Sequence, residues 1–354
     1  MIIKDFDKTL EMGRRVYNSK MISKEENGKV TYSDESAIKA LCSKIFTKDG
    51  EVTNMEDLRS FNKIIVEIAN EEAKAKFEQV VNLVSDFKSV GRYDAVQYNK
   101  VPSRTKTTMA LSASGTSVDF TRIPSTTTKI PAVPRLYQFG VKYQIAEMVN
   151  DPVNAFRNAV NFVVEEKVKF IFKQIMKLAR VNKGISKIPA EQHKSIANLT
   201  LKDYRKIESK LIRAGKNIRP VMIADINFIN ELALKQGEEG LGTTKFSILT
   251  DELKTSLLRD VIIEEVSKSV AIATDNPFID DENSKVEMEP QEALILAGGE
   301  GKPFKITEYG GLRTAQDMPS IEKEEVLMKI DYSIDVTLFN GKNIAYIKDT
   351  AITV

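Results

Sequence analysis

One cysteine and one histidine among 354 residues remove whole classes of chemistry before anything else is read. Cys42 has no second thiol to pair with, which excludes an internal disulfide and dithiol redox work and fits a reducing compartment. His193 has no second imidazole, so His-rich zinc sites and two-histidine metal clamps fall away. A Ser–His–Asp triad would have to use His193, which lies in the loop-like stretch IPAEQHKSIAN, where a solvated histidine is the simpler reading. Long apolar runs are missing too; none approaches the roughly 18–20 residues that span a bilayer. The N-terminal MIIKDFDKTLEMGRR mixes acids and bases and lacks a signal peptide's apolar core, so the chain is expected to stay in the cytoplasm where it is made. An excess of one charge is also lacking: 52 bases face 50 acids, a net +2, which argues against a dedicated DNA-binding domain.

What is present is an ordinary globular composition, 42% hydrophobic and 29% charged, long enough for two or three compact units. Helices are expected at Asp5–Tyr17 and at Ser33–Phe46, where Ala37, Ile38, Leu41, Cys42 and Ile45 recur at helical spacing and make Cys42 a small buried side chain. Asn54, with Asp57 three residues on, opens a long helix whose stripe from Met55 through Phe87 ends at Gly91. Asn150–Asp151–Pro152 opens another, with proline in its first turn, running to Asn182–Lys183–Gly184 with Glu165 and Lys169 as an outer i,i+4 pair. Thr200 and Asp203 start a helix that Gly215 closes. A buried strand at Ile218–Ala224, a helix at Asn227–Lys235 and short strands at Val261–Val266, Val270–Ala273 and Ala293–Ala297 follow. Mixed elements of this kind predict an α+β or α/β layer domain, within a chain that is α+β as a whole. Val326–Phe339 and Asn343–Ile347 read as two strands of a hairpin turning at Asn340–Gly341.

Between the two long helices the texture changes. Half of the 26 positions from Ser103 to Thr128 are serine or threonine, and Pro102, Pro124, Pro131 and Pro134 lie in or beside the stretch. Threonine favours strands and Gly115 offers a turn, so a long β-hairpin is expected, returning through Pro131–Ile145. Its few apolar residues (Met109, Leu111, Val118, Phe120, Ile123) cannot form a core, and an isolated two-stranded hairpin is marginal in water. Cover from another subunit is the natural expectation. Charge points the same way: Arg92–Lys142 holds eight bases and two acids, whereas Asp275–Glu292 holds seven acids and one base. Arg104, Lys106, Arg122, Lys129 and Arg135 are therefore expected to face Asp280, Asp281, Glu282, Glu287 and Glu289 across an assembly interface.

Candidate chemistry fails on spacing. GEEGLGTT (237–244) and GGEGKP (298–303) lack the phosphate-loop pattern. The acids at 280–289 do not follow the alternating ligands of a calcium loop. Between Pro102 and Pro134 the basic hairpin has a single aromatic, Phe120, where single-strand binders stack several. No catalytic residue, cofactor or metal is expected.

The order of elements, carried by RTKTTMALSASGTSVDFTRIPSTTTKIPAVP followed by YQFGVKYQIAEMVNDPVNAFRNAVNFVVEEKVKFIFKQIM, resembles the major capsid proteins of tailed bacteriophages with the Hong Kong 97-like fold, over roughly residues 54–354. LTLKDYRKIESKLIRAGKNIRPVMIADINFINELALK is similar to the opening of that fold's axial domain. The resemblance implies an N-terminal arm (1–53), a helix packing on the peripheral domain (54–91), an extended loop (92–145), a peripheral domain with a spine helix (146–198), an axial domain (199–325) and returning peripheral strands (326–354). It implies self-assembly into an icosahedral or prolate shell of hexamers and pentamers, made in the bacterial host cytoplasm and ending in the virion. Its partners would be copies of itself, portal and scaffolding or decoration proteins, and double-stranded DNA contacted non-specifically, with no membrane. Encapsulins share the fold and offer an alternative, a bacterial compartment shell; a cytosolic α/β enzyme built on 199–325 is a second, without a recognisable set of catalytic residues.

Overall fold

The computed structural model describes residues 5–26, 29–47, 49–100, 128–238, 265–274, 276–299, 301–320 and 324–353. The chain opens with α1 (Phe6–Tyr17), a short hairpin of β1 (Ser23–Glu26) and β2 (Lys29–Ser33), and α2 (Asp34–Ile45). Asp5 caps α1 by accepting from the Lys8 backbone N–H. The segment expected as an arm is folded onto its own chain here. Val16, Ile38, Cys42 and Ile45 are buried in the main core. Arg15 grips the buried Asp34 with two hydrogen bonds of 2.8 and 2.9 Å, which holds that carboxyl well below the usual carboxylate range.

The helical stripe from Met55 does not reach Gly91. α3 covers Met55–Val84, and Ser85–Val90 becomes β3. The reason is tertiary: β3 lies parallel to a later strand, with Phe87 opposite Ile306, and sheet pairing overrides the local helical spacing. β4 (Gln97–Lys100) and β5 (Thr128–Pro131) then pair antiparallel, Lys100 opposite Thr128, and so form the root of the expected hairpin; its residues 101–127 lie outside the described residues. β6 (Arg135–Gln144) and α4 (Ile145–Asn150) lead to the 30-residue α5 (Pro152–Val181). Asp151 caps α5, Pro152 sits in its first turn, and Asn182 ends it in the left-handed region at φ 52°.

The rest of the chain is β7 (His193–Ile196), α6 (Leu201–Ala214), β8 (Val221–Ala224), α7 (Ile226–Glu238), β9 (Glu265–Val266), β10 (Ser269–Ala273), β11 (Glu292–Leu296), β12 (Phe304–Ser320), β13 (Glu325–Leu338) and β14 (Ile344–Asp349). Two sheets organise them. One is β3-β12-β13-β6; the other is β7-β14-β11-β8-β10-β9, with β8–β10 and β14–β7 parallel.

Three expectations change as a result. Asn340–Gly341 is not a hairpin turn: Asn340 has φ −119°, not the positive φ a type I′ turn needs, and β13 and β14 enter different sheets. Glycine is required at 341 for another reason, because a Cβ there would sit 2.4 Å from the Lys187 backbone. The 17-residue β12 was not expected as a strand, and it pairs with β13 rather than with the 199–325 unit. β14 in turn joins β11 and β7, so 344–349 belongs with the second sheet and not with the returning strands.

Candidate assembly surfaces

The two sheets bury their faces differently. In the six-stranded sheet, β11 is buried at every position. Leu294, Tyr346 and Ile223 stand in register on one face, in the core that contains α5. Ile295, Ala345 and Met222 stand on the other, in the core made with α6 and α7. The four-stranded sheet covers one face along its length and the other only at the end where β4 and β5 pack. Along β13 Val326, Met328, Ile330, Tyr332 and Ile334 point into the core, while Leu327 and Lys329 between them are exposed.

That open face carries apolar side chains. Leu327 is 42% exposed, its cross-strand partner Met318 on β12 is 49%, and Leu136 on β6 is 54%. Gln138, Gly140, Lys142, Met318, Leu327 and Lys329 line a groove of about 520 Å³ across the three strands. Sequence reasoning missed this surface because it missed β12. The usable signal was the pair of apolar positions Phe304 and Ile306 two residues apart, hidden by the glycine pair that follows.

The hairpin root is fastened to the same sheet. Tyr98 of β4 packs edge-on against Phe339 at 6.0 Å. Its hydroxyl lies 2.7 Å from that of Thr307 and donates to Asp335 at 3.4 Å. Burial raises the pKa of both Tyr98 and Asp335. Lys100 and Thr128, at the end of the described root, thus belong to an anchored pair of strands.

The charged residues expected at an interface divide into three groups. Arg104, Lys106 and Arg122 lie outside the described residues. Lys129 on β5 and Arg135 on β6 are exposed, as are Asp281 and Glu282. Asp280 accepts from the Ser284 and Lys285 backbone N–H groups and from the Ser284 hydroxyl, so it holds its own turn with a lowered pKa. Beside this turn Phe278 and Ile279 are 50% and 63% exposed.

Glu287 and Glu289 belong to the third group, for they are engaged within the chain. Glu287 takes Lys173 at 2.8 Å and Lys169 at 3.1 Å, so Lys169 reaches across to the acidic segment instead of pairing with Glu165. Glu289 meets Arg180 at 3.3 Å and also Lys348. The buried Glu292 takes Arg180 at 2.7 Å and the Tyr346 hydroxyl at 2.6 Å. Three acids thereby tie the basic edge of α5 to the second sheet.

His193 is not a solvated loop residue. It sits on β7, stacks on Tyr346 with ring centres 5.0 Å apart, and places Nε2 3.1 Å from the Ala179 and Arg180 carbonyls at the end of α5. Cys42 is buried as expected, and burial pushes its thiol up to about 12.

These surfaces bear on comparison with known proteins. A family model described as "SPbeta prophage-derived putative capsid protein YonB" matches residues 10–348. The chain belongs to this family of prophage-derived capsid proteins. A relative of the YonB family from Bacillus subtilis (strain 168), named SPbeta prophage-derived uncharacterized protein YonB, is 34% identical over 334 residues, covering 94% of this chain and 96% of that one. Among solved structures, the bacteriophage PhiM1 mature capsid aligns with 76% of this chain and 86% of its own at TM-score 0.47 and 10% identity. The holo-SrpI encapsulin complex from Synechococcus elongatus PCC 7942 aligns over the same shares at TM-score 0.41 and 13% identity. The long α5, the anchored hairpin root and the layered α/β unit follow the element order that the capsid resemblance implies.

Proposed function

We propose that copies of this chain assemble through hexamers and pentamers into a closed icosahedral shell around the genome of a tailed bacteriophage or prophage. The observation that carries this reading is membership of a capsid protein family over residues 10–348. The half-covered sheet supports it, since a shell protein needs large surfaces that are completed only by neighbours. The hairpin rooted at β4 and β5 is the element that reaches a neighbour, and its Arg104, Lys106 and Arg122, with Lys129 and Arg135, meet Asp280, Asp281 and Glu282 of the next copy. A head-to-tail contact between unlike surfaces is what closes a ring. Such pairs are individually weak, about 0–1 kcal/mol, so they set register more than affinity. Portal, scaffolding or decoration proteins and non-specifically held double-stranded DNA complete the partner set, assembly takes place in the host cytoplasm, and the product is the virion capsid.

The test is the size of the purified, untagged chain by light scattering and negative-stain microscopy. Closed particles, or rings that close into them, are the expected result. A monomer or dimer that stays so at high concentration, with scaffold or salt added, removes the shell reading. Particles that enclose an enzyme cargo instead of DNA turn it into a compartment. Changing Arg104, Lys106 and Arg122 to glutamate leaves the monomer folded and blocks assembly; normal particles from that variant remove the charge pairing.

A further inference from the structure

Gly140 stands in the middle of β6 without a reason inside its own chain. Its φ is not positive, and a Cβ there would meet nothing within 4 Å. The β6–β13 register is unbroken around it, so no bulge explains it either. A glycine in a strand interior gives up packing and costs backbone entropy, and its remaining use is the close approach of another chain. Here it leaves a gap in the open face, opposite Lys329 on β13. Beside the gap Met318 and Leu327 form an apolar floor. The charged residues that line this groove are Lys142 and Lys329, both bases. Glu325 and Asp331, further along β13, are already engaged, the first by Lys142 at 3.5 Å and the second by Gln138 at 2.8 Å.

A complementary surface lies on the same chain. Between β10 and β11 the backbone turns back on itself: Phe278 bridges to Val286, and the Ile279 N–H donates to the Lys285 carbonyl at 2.8 Å. Asp280 accepts from the Ser284 and Lys285 N–H groups, and Asn283 closes the turn at φ 53°. Lys173 and Lys169 hold its base to α5 through Glu287. The turn is therefore shaped before it meets anything. Yet Phe278 and Ile279 are left half or more in solvent at its tip, next to the exposed Asp281 and Glu282.

We propose that the 278–282 turn of one copy seats Phe278 and Ile279 in the Gly140 groove of the next, with Asp281 and Glu282 beside Lys142 and Lys329. This contact rests on the assembly reading and adds the apolar component that its charge pairs lack; Arg135, one of those pairs, lies on the same strand as Gly140. Turn and groove are unlike surfaces of one chain, so the contact is head-to-tail. Both are preorganised, which keeps the entropy lost on docking small. Burial of Phe278 and Ile279 against Met318 and Leu327 supplies affinity, while the acids and lysines set orientation.

The experiment uses particles assembled from a mixture of heavy-isotope-labelled and unlabelled wild-type chains. A carbodiimide, which joins a lysine to a carboxylate in contact with it, is added before digestion and mass spectrometry. The expected product is a branched peptide linking Lys142 or Lys329 to Asp281 or Glu282, with one arm heavy and the other light. The Lys142–Glu325 link within a chain shows that the reagent reaches the groove. In parallel, Gly140→Val fills the gap with a residue that favours strands. That variant should unfold no more easily than wild type and lose its particles in light scattering. Wild-type chains that never assemble remove the shell reading and this contact with it. Wild-type particles that give the Lys142–Glu325 link but no mixed peptide overturn the contact alone, and so do Gly140→Val particles of normal size. Loss of particles in Gly140→Val without the mixed peptide also overturns it, since the groove then receives a different segment or another protein.

Discussion

The two larger sheets among the described residues end in different states. The six-stranded sheet has short strands, two to six residues each, and is covered on both faces. The four-stranded sheet contains strands of 17 and 14 residues and leaves Leu136, Met318 and Leu327 in solvent. Covered on both sides, a sheet completes its free energy within the chain; a half-covered one keeps apolar area in reserve for a neighbour. If that contrast holds, substitutions in the first sheet act on folding and substitutions on the open face of the second act on assembly.

The largest effect is expected in the closed sheet. Ile295 is fully buried between β8 and β14 on the face toward α6 and α7. Ile295→Ala should cost about 2–5 kcal/mol in denaturant unfolding of the full chain. A loss well under 1 kcal/mol would mean that this face is not a packed core. Next comes the converse. Changing Met318 and Leu327 to aspartate should move chain stability by only about 0.5 kcal/mol, the usual range for exposed positions. The same double variant should yield no particles in light scattering. Particles of normal size would break the comparison at its root. Smaller again is the α5 cap: Asp151→Ala removes the acceptor for the Asn154 N–H and should cost about 1 kcal/mol, read as a lower thermal midpoint without loss of the assembled form.

How much of this was legible follows the same division. α5 could be read almost to the residue, because Asn150–Asp151–Pro152 starts a helix, Asn182–Lys183–Gly184 stops it, and the apolar period between them is uninterrupted. α6 was equally plain, since Thr200 and Asp203 form the cap that the structure shows. β12 was hidden because Gly310–Gly311 breaks its alternation and the buried Asp317, bonded by Asn62 at 2.8 Å, looks like a solvent position. Asn340–Gly341 misled because a dipeptide reports turn propensity and not which sheet the next strand will join. At the interface, the acidity of 275–292 was plain. The engagement of Glu287 and Glu289 by Lys169, Lys173, Arg180 and Lys348 was not, because the α5 bases that hold them lie over a hundred residues away in sequence.

That engagement gives the smallest predicted effect and the finest test of the division. Burial alone would raise the Glu287 pKa, but Lys173 and Lys169 outweigh it and leave it below the usual 4.5. The pKa of Glu289 is lowered too, first by Lys348, against a smaller opposing effect of burial. A carboxyl whose folded pKa is depressed contributes stability that is fully present above its unfolded value and is lost as pH falls through the folded one. The joint between α5 and the second sheet should therefore weaken as the solution is taken below about pH 4.5. Because the lysines are partly exposed and screened, the contribution is about 1 kcal/mol or less. Unfolding measured from neutral to acid pH should show Glu287→Gln less stable than wild type near neutrality, with the gap closing in acid. A gap that stays constant across the range would mean that Glu287 is not held by its lysines. In that case it would rejoin Asp281 and Glu282 as an acid free to face a neighbouring copy.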